Sequence, residues 1–259
     1  MICKRFISNV PSASFLLLVG FGLSAGLLMM GAGATNFSMA QSGAAPSTAA
    51  SLNDQGSFAL SFSGHPLGTE KFNIRSFPDK IEAEAEIELK TEQAGQTIDL
   101  KTNPHLILNT QFEPQTYEVT RKGAQPFHLE VDFRTSPAKS HLRLATSKED
   151  NERDFSLPKD VVVLDDNVVH HYQLLVDRFA LKPEKKQTFK AYIPQEALPG
   201  DLIVEEVGTG EVEVAGKKET LRHLIVGADL AQIDLWVDAQ NRLQRVLIPA
   251  MQLEAIRVK

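Results

Sequence analysis

From Phe58 onward, apolar and polar residues alternate with a period of two, the pattern of half-buried β-strands. Phe58, Leu60 and Phe62 alternate, Gly64 to Gly68 (GHPLG) makes a turn, and Phe72 and Ile74 resume the pattern. The clearest strand is IEAEAEIEL: Ile81, Ala83, Ala85, Ile87 and Leu89 line one face, and Glu82, Glu84, Glu86 and Glu88 the other. A helix would set Glu82 against Glu86 and Glu84 against Glu88, a like-charge penalty at spacing four, whereas a strand points all four at water. Further strands are predicted around Ile98 and Leu100, Leu106 and Leu108, Tyr117 and Val119, Phe127 to Phe133, and Leu142 and Leu144. SKEDNERD, from Ser147 to Asp154, reads as a solvated loop. Later come Phe189 and Tyr192, Leu202 to Val207, a hairpin turning at Ala215 to Lys218, IDLWVD paired with LQRVLI, and a last strand carrying Leu253, Ile256 and Val258.

One segment departs from this period. In VVHHYQLLVDRF, Val168, Tyr172, Leu175 and Phe179 fall at helical spacing, Asp165, Asp166 and Asn167 precede them as cap candidates, and Leu181-Lys182-Pro183 ends the run. One helix among ten or more strands, without regular strand–helix alternation, predicts an all-β, mostly antiparallel fold.

The N-terminus follows a different grammar. Lys4 and Arg5 precede an uncharged run from Ser14 to Ala34, and the small residues Ser38 and Ala40 then stand at the −3 and −1 places of a signal-peptidase site. Residues 1–40 are therefore read as a secretory signal cut between Ala40 and Gln41, with Ala34 as a second cleavage position. The alternative is an uncleaved anchor, because the apolar run approaches the ~18 residues that span a bilayer. Residues 41–56, small and polar, are a flexible linker, and 57–259 a single β-rich domain. The sole cysteine, Cys3, leaves with the signal, so the mature chain has no thiol, disulfide or cysteine-bound metal. Cleavage removes two basic residues and no acidic one from a chain with 27 basic and 33 acidic residues, leaving a net charge of −8. That balance, with no basic stripe, argues against nucleic acid as a partner. No stable membrane span is expected after Gln41.

Asp165, Asp166, His170 and His171 form the densest group of reactive side chains. They could bind a metal or shuttle protons, or the aspartates could cap the helix while the histidines flank its apolar stripe. Adjacent histidines on a helix point about 100° apart, which disfavours a shared metal. The glutamate ladder is read as a solvated strand face. Trp236, the one tryptophan, lies on the face opposite Leu235 and Val237, where it could line a pocket or pack under a second layer. Beyond Gln41 there is no GxSxG, HExxH, Walker or GxGxxG pattern. No catalytic residue, metal or cofactor is expected.

The segments FSGHPLGTEKF, VLDDNVVHHYQLLVDRF and LWVDAQNRLQRVLIP resemble an uncharacterised bacterial family of exported β-rich proteins, a domain of unknown function. More remotely, the architecture is similar to the half-barrels of lipoprotein-localisation carriers, which implies a long curled antiparallel sheet around one central helix. The resulting expectation is an exported, periplasmic or extracellular protein that binds or scaffolds, holding an apolar small molecule in the sheet's concavity. Two alternatives stand beside it: an envelope protein–protein module with no small ligand, and an enzyme built on the Asp/His cluster.

Overall fold

The computed structural model describes residues 52–258 apart from 94–95, 124, 145–149 and 229–230, and the predicted cleavage site at Ala40 and Gln41 lies outside them. The chain runs β1 (Asp54–Phe62), β2 (His65–Ser76), β3 (Lys80–Gln93), β4 (Gln96–Asn109), β5 (Pro114–Gly123), β6 (Phe127–Asp132), β7 (Ala138–Leu144) and β8 (Asp150–Phe155). After β9 (Val162–Val163) and α1 (His170–Phe179) come β10 (Lys186–Ile193), β11 (Leu198–Val214), β12 (Lys217–Ala228), β13 (Ala231–Val237), β14 (Leu243–Ile248) and β15 (Leu253–Arg257). All belong to one 15-stranded sheet in the order β8-β7-β6-β5-β4-β3-β2-β1-β15-β14-β13-β12-β11-β10-β9. Every neighbouring pair is antiparallel except β9 and β10, which are parallel.

The chain length between β8 and β9 dictates the sheet's curvature. Laid flat, 15 strands would put these two edges about 67 Å apart at ~4.8 Å per strand. Yet only residues 156–161 join Phe155 to Val162, and a fully extended chain of that length spans about 25 Å. The sheet therefore has to roll its edges toward each other. Phe155 of β8 meets Tyr192 of β10 with ring centroids 5.0 Å apart, and Phe133 meets the same ring at 6.2 Å. The two edges come together without pairing, so the roll is not a closed barrel.

Period-two alternation sends one face of each strand into this roll. Phe58, Ile74, Ile81, Ala83, Ile87, Leu106, Tyr117, Val119, Leu224 and Leu235 are all buried there. The Ile81–Leu89 strand has the predicted faces, Ile81 to Ile87 inward and the glutamates outward, with Leu89 half-buried near its end. The helix fills the concavity: Leu174, Leu175, Val176 and Phe179 are buried, and so are His170, His171 and Gln173. A helix enclosed on nearly every side must find partners for its polar groups within the protein. Gln173 does so by accepting a hydrogen bond from the Leu243 backbone (2.6 Å) and donating to Asn241 O (2.8 Å). Gln187 donates to Phe179 O at the helix C-terminus (2.8 Å).

Three sequence expectations need correction. The linker ends before Asp54, not at residue 56, because the Asp54 carboxylate accepts both Arg257 NH groups (2.6 and 2.9 Å) and draws 54–56 into β1. Asp150 to Asp154, the second part of the expected loop, belong to edge strand β8, where charged residues suit an edge that must not pair further. Tyr172, placed by periodicity in the core stripe, is half-buried at its margin.

Leu175 is fully buried in α1, so Leu175→Ala should cost about 2–5 kcal/mol in urea unfolding. Ala85→Asp, which buries a lone charge, should be comparably severe, and Glu84→Lys on the outer face mild. Equal effects of the last two would refute the face assignment.

Candidate functional site

The strongest polar arrangement inside the roll centres on Glu70, a fully buried carboxylate of β2. Gly68 lets β2 approach β3 closely, since a Cβ at that position would lie 2.0 Å from Glu88 O. Two residues on, Glu70 points inward on the same face as Phe72 and Ile74. One carboxylate oxygen accepts the Val169 N–H (2.7 Å); the other accepts the His170 N–H (2.7 Å) and the His170 Nδ1–H (2.9 Å). A side chain about a hundred positions upstream thus satisfies the first free N–H groups of α1 and places negative charge at the positive end of its dipole. This corrects the expected capping: Asp165, Asp166 and Asn167 give the helix no side-chain cap.

These contacts set the histidine tautomers. His170 donates from Nδ1 to Glu70, so in the neutral ring Nε2 is an acceptor. His171 Nδ1 accepts the backbone N–H of Asp165 (3.2 Å), so its proton sits on Nε2. The rings meet edge-to-face at 4.8 Å, fully buried, and neither Nε2 has a hydrogen-bond partner among the described residues. Burial, and secondarily the neighbouring His170, hold the His171 pKa well below its usual value, so that ring is neutral. Far from flanking the stripe, both histidines are part of the core.

Asp165, also buried, turns the other way. Its carboxylate accepts the Tyr117 hydroxyl and both the backbone N–H and the side-chain amide of Gln195 (2.9 Å each). Burial raises its pKa against those three hydrogen bonds, and Tyr117 is pushed well above its usual value by burial and then by Asp165. Asp166 reaches solvent and accepts from Asn167 (2.8 Å), yet its pKa is pushed up to about 6 by desolvation, then by Asp165 and Glu196. Asp165, His170 and His171 therefore share one buried network with Glu70 and Tyr117, with Asp166 at its margin. The Asp165 carboxylate bonds to neither imidazole; the carboxylate–imidazole dyad is Glu70–His170. Neither histidine lines the cavity of about 300 Å³ beside Phe179, Lys185, Glu206 and Arg222, or the one of about 10 Å³ between Leu106, Val162 and Leu174.

Trp236 lies apart from this group, on the outer face. Its ring stacks on His223 at 4.8 Å with Arg245 over it at 5.1 Å. The tip of the β11–β12 hairpin brings Val212, Val214 and Leu221 into a small second cluster packed by Trp236 and Ile256. A bulge between Glu206 and Gly208 lets the hairpin redirect these residues. Sequence reading missed Glu70, Tyr117 and Gln195. The one signal was a glutamate on the apolar side of a period-two strand, Glu70 between Gly68 and Phe72.

No family model matches the sequence, and no curated protein matches it. Among solved structures, the fold is similar to a beta-barrel-like protein of the domain of unknown function DUF1849 from Brucella abortus. That match has 9% identity, a TM-score of 0.56, and covers 82% of this chain and 98% of that one. The likeness is one of fold. A DUF1089 family protein from Pseudomonas aeruginosa aligns at 13% identity and a TM-score of 0.40, over 70% of this chain and 90% of that one. The beta-barrel-like fold of the first is in keeping with the β-rich fold that the sequence resemblance implies.

Glu70→Ala would strand three buried donors, and should destabilise by about 3–5 kcal/mol in chemical unfolding. Nitrogen NMR of the histidines should show the Nδ1–H form for neutral His170 and the Nε2–H form for His171. The opposite tautomer at either ring would refute the network. Because His171 stays neutral when folded but binds a proton below pH ~6.5 when unfolded, its contribution is complete above that pH and lost as the pH falls. A His171→Phe variant should therefore show a shallower loss of Tm between pH 7 and 5 than the parent.

Proposed function

We propose that this chain is an exported protein of the bacterial cell envelope, working in the periplasm or outside the cell, that binds or scaffolds a partner and does not catalyse. The observation that carries this reading is the occupation of the concave face by α1, which buries Leu174, Leu175, His170 and His171 where a carrier would hold its cargo. The cavity against the helix beside Leu174, about 10 Å³, is at the lower limit for a single water, ~10–15 Å³. The only buried carboxylate–imidazole pair described, Glu70–His170, has no exposed surface on either side chain. That favours a structural role for it over chemistry on a substrate. Export is supported by the uncharged run from Ser14 to Ala34, the small residues Ser38 and Ala40, and the absence of any cysteine after Cys3. Among the described residues no helix is long and apolar enough to cross a membrane.

The apolar-ligand form of this reading requires α1 to leave the concavity and break the three hydrogen bonds at Glu70. Native mass spectrometry of protein recovered from its producing cells tests both parts. The expected species is the bare chain beginning at Gln41. A co-purifying amphiphile would favour the carrier reading over a scaffold without a small ligand, and a chain starting at Met1 would overturn cleavage and favour an anchor.

A further inference from the structure

The outer face of the N-terminal half carries a row of histidines and glutamates that the interior does not explain. Cross-strand register places Glu84 beside His105, His105 beside Glu118, Glu118 beside Glu130, Glu130 beside His141, and His141 beside Glu152, from β3 to β8. Most members of the row pair with a neighbour: His105 with Glu82 and His141 with Glu152, each at 3.0 Å. The middle differs. Glu118 and Glu130 face each other directly across β5 and β6, a like-charge pairing that destabilises a sheet.

His128, two residues from Glu130 on the same face, stands against both carboxylates. Its Nε2 is 2.8 Å from Glu130 Oε1 and its Nδ1 3.8 Å from Glu118 Oε1, with Thr120 Oγ1 at 3.0 Å from Nδ1. One donor atom from each of Glu118, His128 and Glu130 fits within 4.8 Å of the other two. Ligands on a tetrahedral zinc ion, with bonds of about 2.0–2.2 Å, stand ~3.4 Å apart. Two exposed glutamate side chains can close the remaining distance by rotation alone.

We propose that Glu118, His128 and Glu130 form a surface site for a divalent transition-metal ion of the Zn²⁺ class, bound by one imidazole nitrogen and two carboxylates with water completing its shell. The imidazole donor selects against Ca²⁺ and Mg²⁺, which prefer all-oxygen shells. A dication between Glu118 and Glu130 also converts the one like-charge pairing of the row into a bridge.

The test is calorimetric titration of tag-free, metal-stripped protein with Zn²⁺, Ca²⁺ and Mg²⁺ in a non-chelating buffer at neutral pH. One Zn²⁺ should bind per chain and raise Tm, with Ca²⁺ and Mg²⁺ weaker by tenfold or more. His128→Ala should lower Zn²⁺ affinity at least tenfold. Glu118→Gln should do the same without lowering the metal-free Tm, since it relieves repulsion, and it carries the test if the histidine variant folds poorly. No binding at millimolar Zn²⁺ would overturn the site and leave the cluster as ordinary ion pairing. So would affinity unchanged in both variants, loss of binding on His105→Ala or His141→Ala instead, or Ca²⁺ binding as tightly as Zn²⁺.

Discussion

The bond on which the rest of the architecture depends is the one between the Glu70 carboxylate and the first turn of α1. A helix buried inside a curled sheet has nowhere to send its leading N–H groups except to protein atoms, and the acids just upstream, Asp165 and Asp166, bond elsewhere. β2 supplies the acceptor and gains a way to keep its own buried carboxylate partnered. Neither element is comfortable alone, because a bare carboxylate in the core and an uncapped buried helix each cost several kcal/mol. Together they lock the position of the helix along the sheet.

With the helix fixed, the two halves of the sheet are tied to one object. Glu70 and Tyr117 come from the N-terminal run of strands; Gln195, Gln187 and Leu243 come from the C-terminal run or the turns beside it. The short passage from β8 to β9 forces the sheet to roll, and the helix gives the roll its radius. This is why an unclosed sheet of such width stays curved, although no ladder joins its two edges.

Much of this fold is legible in the sequence because it is local. The Ile81–Leu89 alternation, the hairpin at Ala215–Lys218 and the 168–179 periodicity are each decided by residues within a few positions of one another. What escaped reading depends on distance along the chain. Glu70 interrupts the apolar side of its strand, but its partner stays hidden until a helix a hundred positions later is placed above it. The charged β8 resembles a loop because an edge strand is selected for what it must not pair with. Val212 and Val214 join the outer cluster beside Trp236 only because the bulge at Gly208 redirects the hairpin tip. At the candidate site, spacing alone leaves Asp165, Asp166, His170 and His171 open between a reactive cluster and caps beside a stripe, because nearest neighbours are all that spacing can weigh.

The pairing of β1 with β15 at the centre of the sheet bears on the order in which the molecule can assemble. Phe58 lies opposite Arg257, and Arg257 clasps Asp54 across 203 positions of sequence. A ribosome releases Arg257 203 positions after Asp54. Until then, β1 has only one of its two neighbours and the roll cannot be completed. The closing contact is also among the most expensive in chain entropy. Compaction of the whole sheet therefore waits on that one pairing, which joins the β1–β8 run of strands to the β9–β15 run.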